Sequence, residues 1–494
     1  MPSPEPSAPS GDHPAGARGW EPLPLIVFAV SGLLLAFFAG MASVTRTAGV
    51  THSNDDALYM LRGDQLTHLS YREEFKIEAP RHGQYPPLWP ALLALTQLLT
   101  GGSEVARFAL ATLLMTAALA LFFDLCRRLV PQWLALALLA AAACDPFTII
   151  SGGRVMTEAA FTFGQMLSLW ALERAERMRD DERARRRSLV LTGATAITGA
   201  LTGSIGVTLL GASLIAWALK RRWRSAIALA AVSGVALGGW LAWTMLHHEG
   251  VIGRSYIADA ALLTPADPIA RSSATPVVAA VRNVDNRVRM HLTDMISSGL
   301  PLPSIAGTVL DNLAWIVLTV GLGVLGAASA WRRMPALVLY PVFYFGLLTV
   351  WPWTPRRFFI PLQPEMLLLL VLGALELARR YARAPGRGVA LALLAVVTAA
   401  ALPQALTTAR HTRTCDRDAP WSSEACDDAD QQAFFRIVTF ARDSLRHRLA
   451  AWSSGKRPSR IMRTASYSTP RLPSATPTTT SSATCERTGS STSC

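Results

Sequence analysis

Long apolar runs separated by short arginine-rich stretches occupy most of the chain. A helix that crosses a bilayer needs roughly 20 apolar residues at about 1.5 Å rise each. On that measure the pattern predicts crossings near 22–45, 104–125, 132–151, 157–173, 189–204, 205–219, 225–246, 309–330, 335–352, 359–378 and 388–405, about eleven in all. The stretch from Ser188 to Lys220 is short for two crossings, so two short helices are expected there, broken near "LTGSIG", where Gly203 and Gly206 can turn the chain. Two further segments follow the first apolar run. In "SNDDALYMLRGDQL" (53–66), Leu58, Met60, Leu61 and Leu66 have rough helical spacing, which predicts a helix lying along the interface. "YPPLWPALLALTQLLTG" (85–101) is short and headed by prolines, and reads as a second interfacial or re-entrant helix. The expected class is an all-α polytopic membrane protein.

Composition supports that class. The chain has 494 residues, 51% hydrophobic and 16% charged, with a mean hydropathy of +0.29, a balance unlike that of soluble domains. Its net charge of +13 does not point to nucleic acid, because no basic face with interleaved aromatics is present. The arginines sit instead in "CRRL", "RAERMRDDERARRRS", "KRRWR", "WRRM" and "ARRYARAPGRG", which all fall on one side if the N-terminus is cytoplasmic, as the positive-inside rule expects. Segments 46–103, 247–308 and everything after about 406 then lie outside the cytoplasm. The first apolar run is too long for a signal-peptide core and lacks an A-x-A cleavage site, so it is expected to be retained.

Four regions result: a disordered cytoplasmic tail over 1–20, the transmembrane domain over 21–405, the start of an extracytoplasmic segment over 406–453, and a Ser/Thr/Pro-rich tail over 454–494. Back-translation of that tail in a shifted frame from Thr476 permits an amphipathic helix followed by a strand, so a frameshifted remnant of an exported domain competes with plain disorder. Cys126 and Cys144 lie in or beside spans and read as inert, whereas Cys415 and Cys426 share the exported segment and could pair.

Chemistry is concentrated on the outer side. Asp55 and Asp56 are either helix N-terminal carboxylates beside the capping type Asn54, or a general base held at the membrane surface. Arg154 and Glu158 in "SGGRVMTEAAF" are either an i, i+4 ion pair capped by Thr157, or part of a site on the same membrane face as Asp55. Arg356 and Arg357 in "WPWTPRRFFIPLQP" run against the positive-inside trend. They read as snorkelling side chains or as a fork for a phosphate leaving group. His52, His82, His247, His248 and His291 are also outside and read as ordinary loop residues. No H-x₃-H or Cys-rich spacing marks a metal site, and a divalent-cation requirement stays open. The cytoplasmic loops carry no Gly-rich phosphate loop, so an activated donor used on the outer face would be lipid-linked.

In order along the chain, "NDDALY", "YPPLWPALLAL", "RVMTEAAF" and "RRFFIPLQP" resemble the GT-C superfamily of membrane glycosyltransferases, particularly the family 39-like branch of protein O-mannosyltransferases and lipid A aminoarabinose transferases. The resemblance covers residues 20–405. It implies inverting transfer of a sugar from a polyprenyl-phosphate donor to a lipid, glycan or protein acceptor on the extracytoplasmic face. Asp55 matches the family's catalytic aspartate, Asp56 its acidic neighbour, Glu158 an acidic position in the second outer loop, and Arg357 the arginine of a late R-[YF]-x-x-P pattern. Some relatives carry lysine where this chain has Tyr85, which turns attention to Arg81 or Arg357 for the phosphate. The rivals are a secondary transporter or lipid flippase, whose ionisable groups would sit near the midplane with Asp145 as the one candidate, and a surface-polysaccharide polymerase or ligase.

Overall fold

The structure, a computed structural model, describes residues 24–46, 54–72, 80–178, 180–247, 288, 309–350, 356–381 and 386–414, all within a first compact unit, Met1–Asp428. His52, His248, His291, the Cys415/Cys426 pair, both terminal tails and the frameshift reading lie outside the described residues.

Fourteen helices are described: α1 (Leu25–Val44), α2 (Asn54–Thr67), α3 (Leu88–Thr100), α4 (Glu104–Leu129), α5 (Gln132–Ala143), α6 (Pro146–Gly152), α7 (Thr157–Arg177), α8 (Glu182–Thr202), α9 (Val207–Leu219), α10 (Trp223–Leu246), α11 (Val309–Trp331), α12 (Pro335–Val350), α13 (Gln363–Tyr381) and α14 (Gly386–Thr414). Two 3₁₀ segments, Ser204–Gly206 and Arg356–Leu362, precede α9 and α13. No strand occurs among the described residues, which hold only an isolated bridge between Arg72 and Arg81. Every apolar run of the sequence coincides with a helix, and both segments of the first hydrophilic loop are helical as expected.

The stretches Leu25–Val44, Glu104–Leu129, Trp223–Leu246, Arg357–Tyr381 and Gly388–Thr414 are long and apolar enough to cross a membrane, and α5 with α6 meets the same standard only as a pair bent by 68°, as in a broken span or a re-entrant loop. The chain is a multi-pass membrane protein. Not all eleven runs meet that standard. The sequence over α9 and that of α12 supply shorter apolar helices, the part of α11 from Ile316 to Trp331 is apolar as well, and α7 and α8 are too polar. For α7 the reason is visible: Glu158, Thr162, Gln165, Ser168 and Glu173 are all buried against other helices, so its polar groups are sheltered by protein and not exposed to lipid. Helices α1 and α10 behave in the opposite way, leaving Leu25, Ile26, Phe28, Leu33, Ile227, Val232 and Val235 exposed, as a lipid-facing surface would.

Two local devices shape the bundle. At the α5–α6 bend, Asp145 is fully buried and its Oδ2 accepts the Thr148 N–H at 2.7 Å, capping α6 with Pro146 at its first position. Helices α11 and α13 cross at Gly326 and Gly373, where a methyl group would collide with the backbone carbonyl of Leu369 or Leu322. Small residues at such crossings let helix backbones approach where no hydrophobic effect drives association.

Candidate active site

The site forms at the ends of α2 and α7, the loop before α3 and the 3₁₀ segment Arg356–Leu362. Helix α2 begins at Asn54, which puts Asp55 and Asp56 in its first turn, where unpaired N–H groups favour negative charge. Asp55 does not spend its carboxylate on the cap. Its Oδ1 accepts the Tyr85 hydroxyl at 2.8 Å, and its Oδ2 is paired with Arg357 Nη2. Arg357 Nε lies 3.5 Å from Glu158 Oε1, and its Nη1 lies 3.8 Å from Met156 Sδ. One guanidinium therefore bridges carboxylates that are 103 residues apart in sequence, Asp55 and Glu158. About a quarter of the Asp55 and Arg357 side chains stays exposed, against 7% for Glu158, so the pair is open to a ligand.

Asp56, next in sequence, is only 2% exposed. Burial pushes its carboxyl up to about 7, against the lowering pull of the Ala57 N–H and of Arg154. Arg154 stands in the turn between α6 and α7, half-buried. Burial lowers its pKa, opposed by the charges of Asp56 and Glu158, and its Nε is buried without a hydrogen-bond partner among the described residues. The loop that carries it is anchored by Thr112, whose hydroxyl donates to Gly152 O at 2.8 Å, and by Trp89 Nε1, which donates to Val155 O at 3.4 Å. At Gly153 a Cβ would crowd the Ala42 carbonyl and the Thr45 hydroxyl, so glycine lets α1 close against this loop. The sequence-based ion pair between Arg154 and Glu158 does not form. Helix α7 starts at Thr157, with no side-chain cap, so Arg154 is off the helix, and Glu158 turns to Arg357 instead.

Tyr85 is itself held in place. His82, fully buried, accepts the Tyr85 N–H on Nε2 at 2.8 Å and stacks on its ring at 5.3 Å. The Tyr71 hydroxyl donates to Tyr85 O at 2.8 Å, and Tyr59 lies against the ring with centroids 4.9 Å apart. His82 is therefore no ordinary loop residue, and its H-x-x-Y spacing to Tyr85 is the only trace of this role in the sequence. Arg81 goes elsewhere: its guanidinium approaches His247 Nε2 at 3.3 Å and the Trp243 ring at 5.5 Å, clasping the loop to the end of α10. Arg356 opens the 3₁₀ segment, and its side chain is outside the described part.

The opposite end of α7 is basic. Its 21 residues reach roughly 30 Å, and at the far end Arg128, Arg177 and Arg333 gather on Glu173. Glu158 and Glu173 are 15 residues apart on α7, about 22 Å along the helix, so the carboxylate cluster and this arginine cluster lie at opposite ends of it. Among the described residues no three His, Cys, Asp or Glu side chains converge as metal ligands, and two of the three site acids are already engaged by Arg357.

By its likeness to solved structures the helical membrane bundle has a GT-C-like fold. The chain is similar to ArnT from Cupriavidus metallidurans in the apo state, with a TM-score of 0.50 and 14% identity over 78% of this chain and 76% of that one. It is similar to the same protein bound to undecaprenyl phosphate, with a TM-score of 0.51 and 14% identity over 79% and 77%. No family model and no curated protein matches the sequence.

Proposed function

We propose that the protein is a membrane glycosyltransferase that moves a sugar from a polyprenyl-phosphate donor to an acceptor on the extracytoplasmic face, with inversion. The observation that carries this reading is the convergence of Asp55, Tyr85, Glu158 and Arg357 from four separate segments, with Arg154 nearby, its Nε without a hydrogen-bond partner among the described residues. The placement of the arginine clusters at the far end of the bundle supports an outward-facing site. The ArnT structure bound to undecaprenyl phosphate shares this fold and supports a lipid-linked donor.

In this reading Asp55 is the general base. The acceptor gives its proton to Asp55 while its oxygen forms a bond to the anomeric carbon. The bond from that carbon to the phosphate oxygen breaks on the opposite face, and the electron pair leaves as polyprenyl phosphate. A phosphate is a good leaving group, so no acid is needed on that side. Arg357 and Arg154 stabilise the departing charge, which grows in the transition state. In the resting protein both Asp55 oxygens are engaged; an anionic donor competes for Arg357 and so frees Oδ2 for the acceptor. Asp56 and Glu158 orient sugar or acceptor, and with its carboxyl raised to about 7 Asp56 can serve as a hydrogen-bond donor below neutral pH.

The test is transfer in proteoliposomes from a panel of radiolabelled polyprenyl-phosphate sugars. Turnover with at least one donor, lost in Asp55→Asn while that variant stays folded, is the expected result. No transfer from any intact donor by the folded protein would overturn the reading.

A further inference from the structure

Arg357 works from an awkward piece of backbone. The 3₁₀ segment Arg356–Leu362 joins α12 to α13 and contains Pro361, so its carbonyls are not all taken up by a regular helix. At membrane depth such groups must find partners inside the protein. Two buried side chains meet that need. The Tyr344 hydroxyl, from α12, donates to Phe358 O at 2.6 Å, directly after Arg357 in the chain. Gln165, from α7, donates through Nε2 to Pro361 O at 2.7 Å.

Gln165 is fixed in turn. Its Oε1 accepts the Tyr340 hydroxyl at 2.8 Å, and its Nε2 also reaches Glu365 Oε1. Gln165, Tyr340, Tyr344 and Glu365 are all at most 1% exposed, so none of them can reach a substrate in the open part of the site. The spacing on α7 is informative. Gln165 lies seven residues after Glu158, two turns along the same helix face. One face of α7 therefore touches the 3₁₀ segment twice, through Glu158 on the Arg357 side chain and through Gln165 on the Pro361 carbonyl. Tyr344 holds the carbonyl between those points.

We propose that Gln165 and Tyr344 are positioning residues: by fixing the carbonyls of Pro361 and Phe358 they hold Arg357 between Asp55 and Glu158, and so set the affinity for the anionic leaving group. This role rests on the transferase reading. If the two residues merely satisfied buried polar groups, removing them would lower stability without acting through Arg357.

A double-mutant cycle separates the cases. Binding of undecaprenyl phosphate to purified full-length protein is measured for wild type, Tyr344→Phe, Arg357→Gln and the double variant, with thermal midpoints alongside. Tyr344→Phe removes one hydroxyl and leaves the ring packing, so it is expected to fold, which Gln165→Met need not do while Glu365 depends on that amide. Tyr344→Phe is expected to weaken binding about 3–10-fold, the range one hydrogen bond covers, and to change it less than about twofold in the Arg357→Gln background. Unchanged binding in Tyr344→Phe, or an equal loss in both backgrounds, overturns the positioning role and leaves the transferase reading standing. Wild-type protein that binds no polyprenyl phosphate overturns the transferase reading and the positioning role with it.

Discussion

Asp55 is the residue on which the proposed chemistry turns, because it is the acid whose two oxygens are held by different elements, Tyr85 before α3 and Arg357 before α13. Asp55→Asn keeps the shape and removes the base, so turnover should fall by roughly 10²–10⁴-fold while the thermal midpoint stays within a few degrees, checked by transfer assay and thermal unfolding in detergent. Asp56 has a different signature. Its carboxyl is raised from 3.8 to about 7 by burial, so between those values the folded state holds a proton that the unfolded state releases. That contribution to stability is fully present below about pH 3.8, falls as pH rises, and is gone above about pH 7. Thermal midpoints should therefore decline from pH 5 to pH 8 in the wild type, with a shallower decline in Asp56→Asn; parallel curves would refute the assignment. Both aspartates were legible in the sequence as an acidic pair just after the first span. His82 was not, since a buried histidine that holds a neighbouring residue's N–H looks like any other loop histidine until the ring packing is seen.

Apolar periodicity located the helices well, because a lipid-facing or core helix must be hydrophobic over its length. It also located α7, predicted near 157–173 and found over Thr157–Arg177, although composition alone does not explain how this helix, which matters most to the site, is accommodated. Thr162, Gln165, Ser168 and Glu173 make α7 look marginal as a span, yet the surrounding helices bury all four. Contact between helices, which sequence pattern does not report, decides whether such polar groups face lipid. The α11–α13 crossing makes the same point. Gly326 and Gly373 lie in helical runs that would tolerate other small residues by propensity alone, yet each touches the opposing backbone. Gly326→Leu should force these helices apart and destabilise the fold by about 1–3 kcal/mol or more, as overpacking does, whereas Gly323→Ala, with open space around it, should be nearly neutral. Chemical unfolding of the two variants side by side checks both.

At the scale of the whole molecule, the carboxylate cluster and the arginine clusters lie at opposite ends of one bundle, which makes a prediction about orientation. In a background with Cys415, Cys426, Cys485 and Cys494 replaced by serine, an impermeant maleimide added to intact cells should label Leu69→Cys, which is almost fully exposed beside α2, and not Arg332→Cys at the turn after α11. Cys126 and Cys144 are buried and should stay silent. The reverse pattern would put the site on the cytoplasmic face. The sequence by itself determined the class: apolar run length fixes where helices can cross, arginine distribution biases their direction, and the motif order carried the GT-C resemblance, because these are local properties of short stretches. Only the tertiary structure decided which of the candidate charges meet. Arg357 reaches Asp55 across 302 residues, while Arg81, far closer to Asp55 in sequence, turns to Trp243 and His247. A guanidinium's partner is set by how the helices that carry it pack, and that packing depends on contacts between segments that no single stretch of sequence contains.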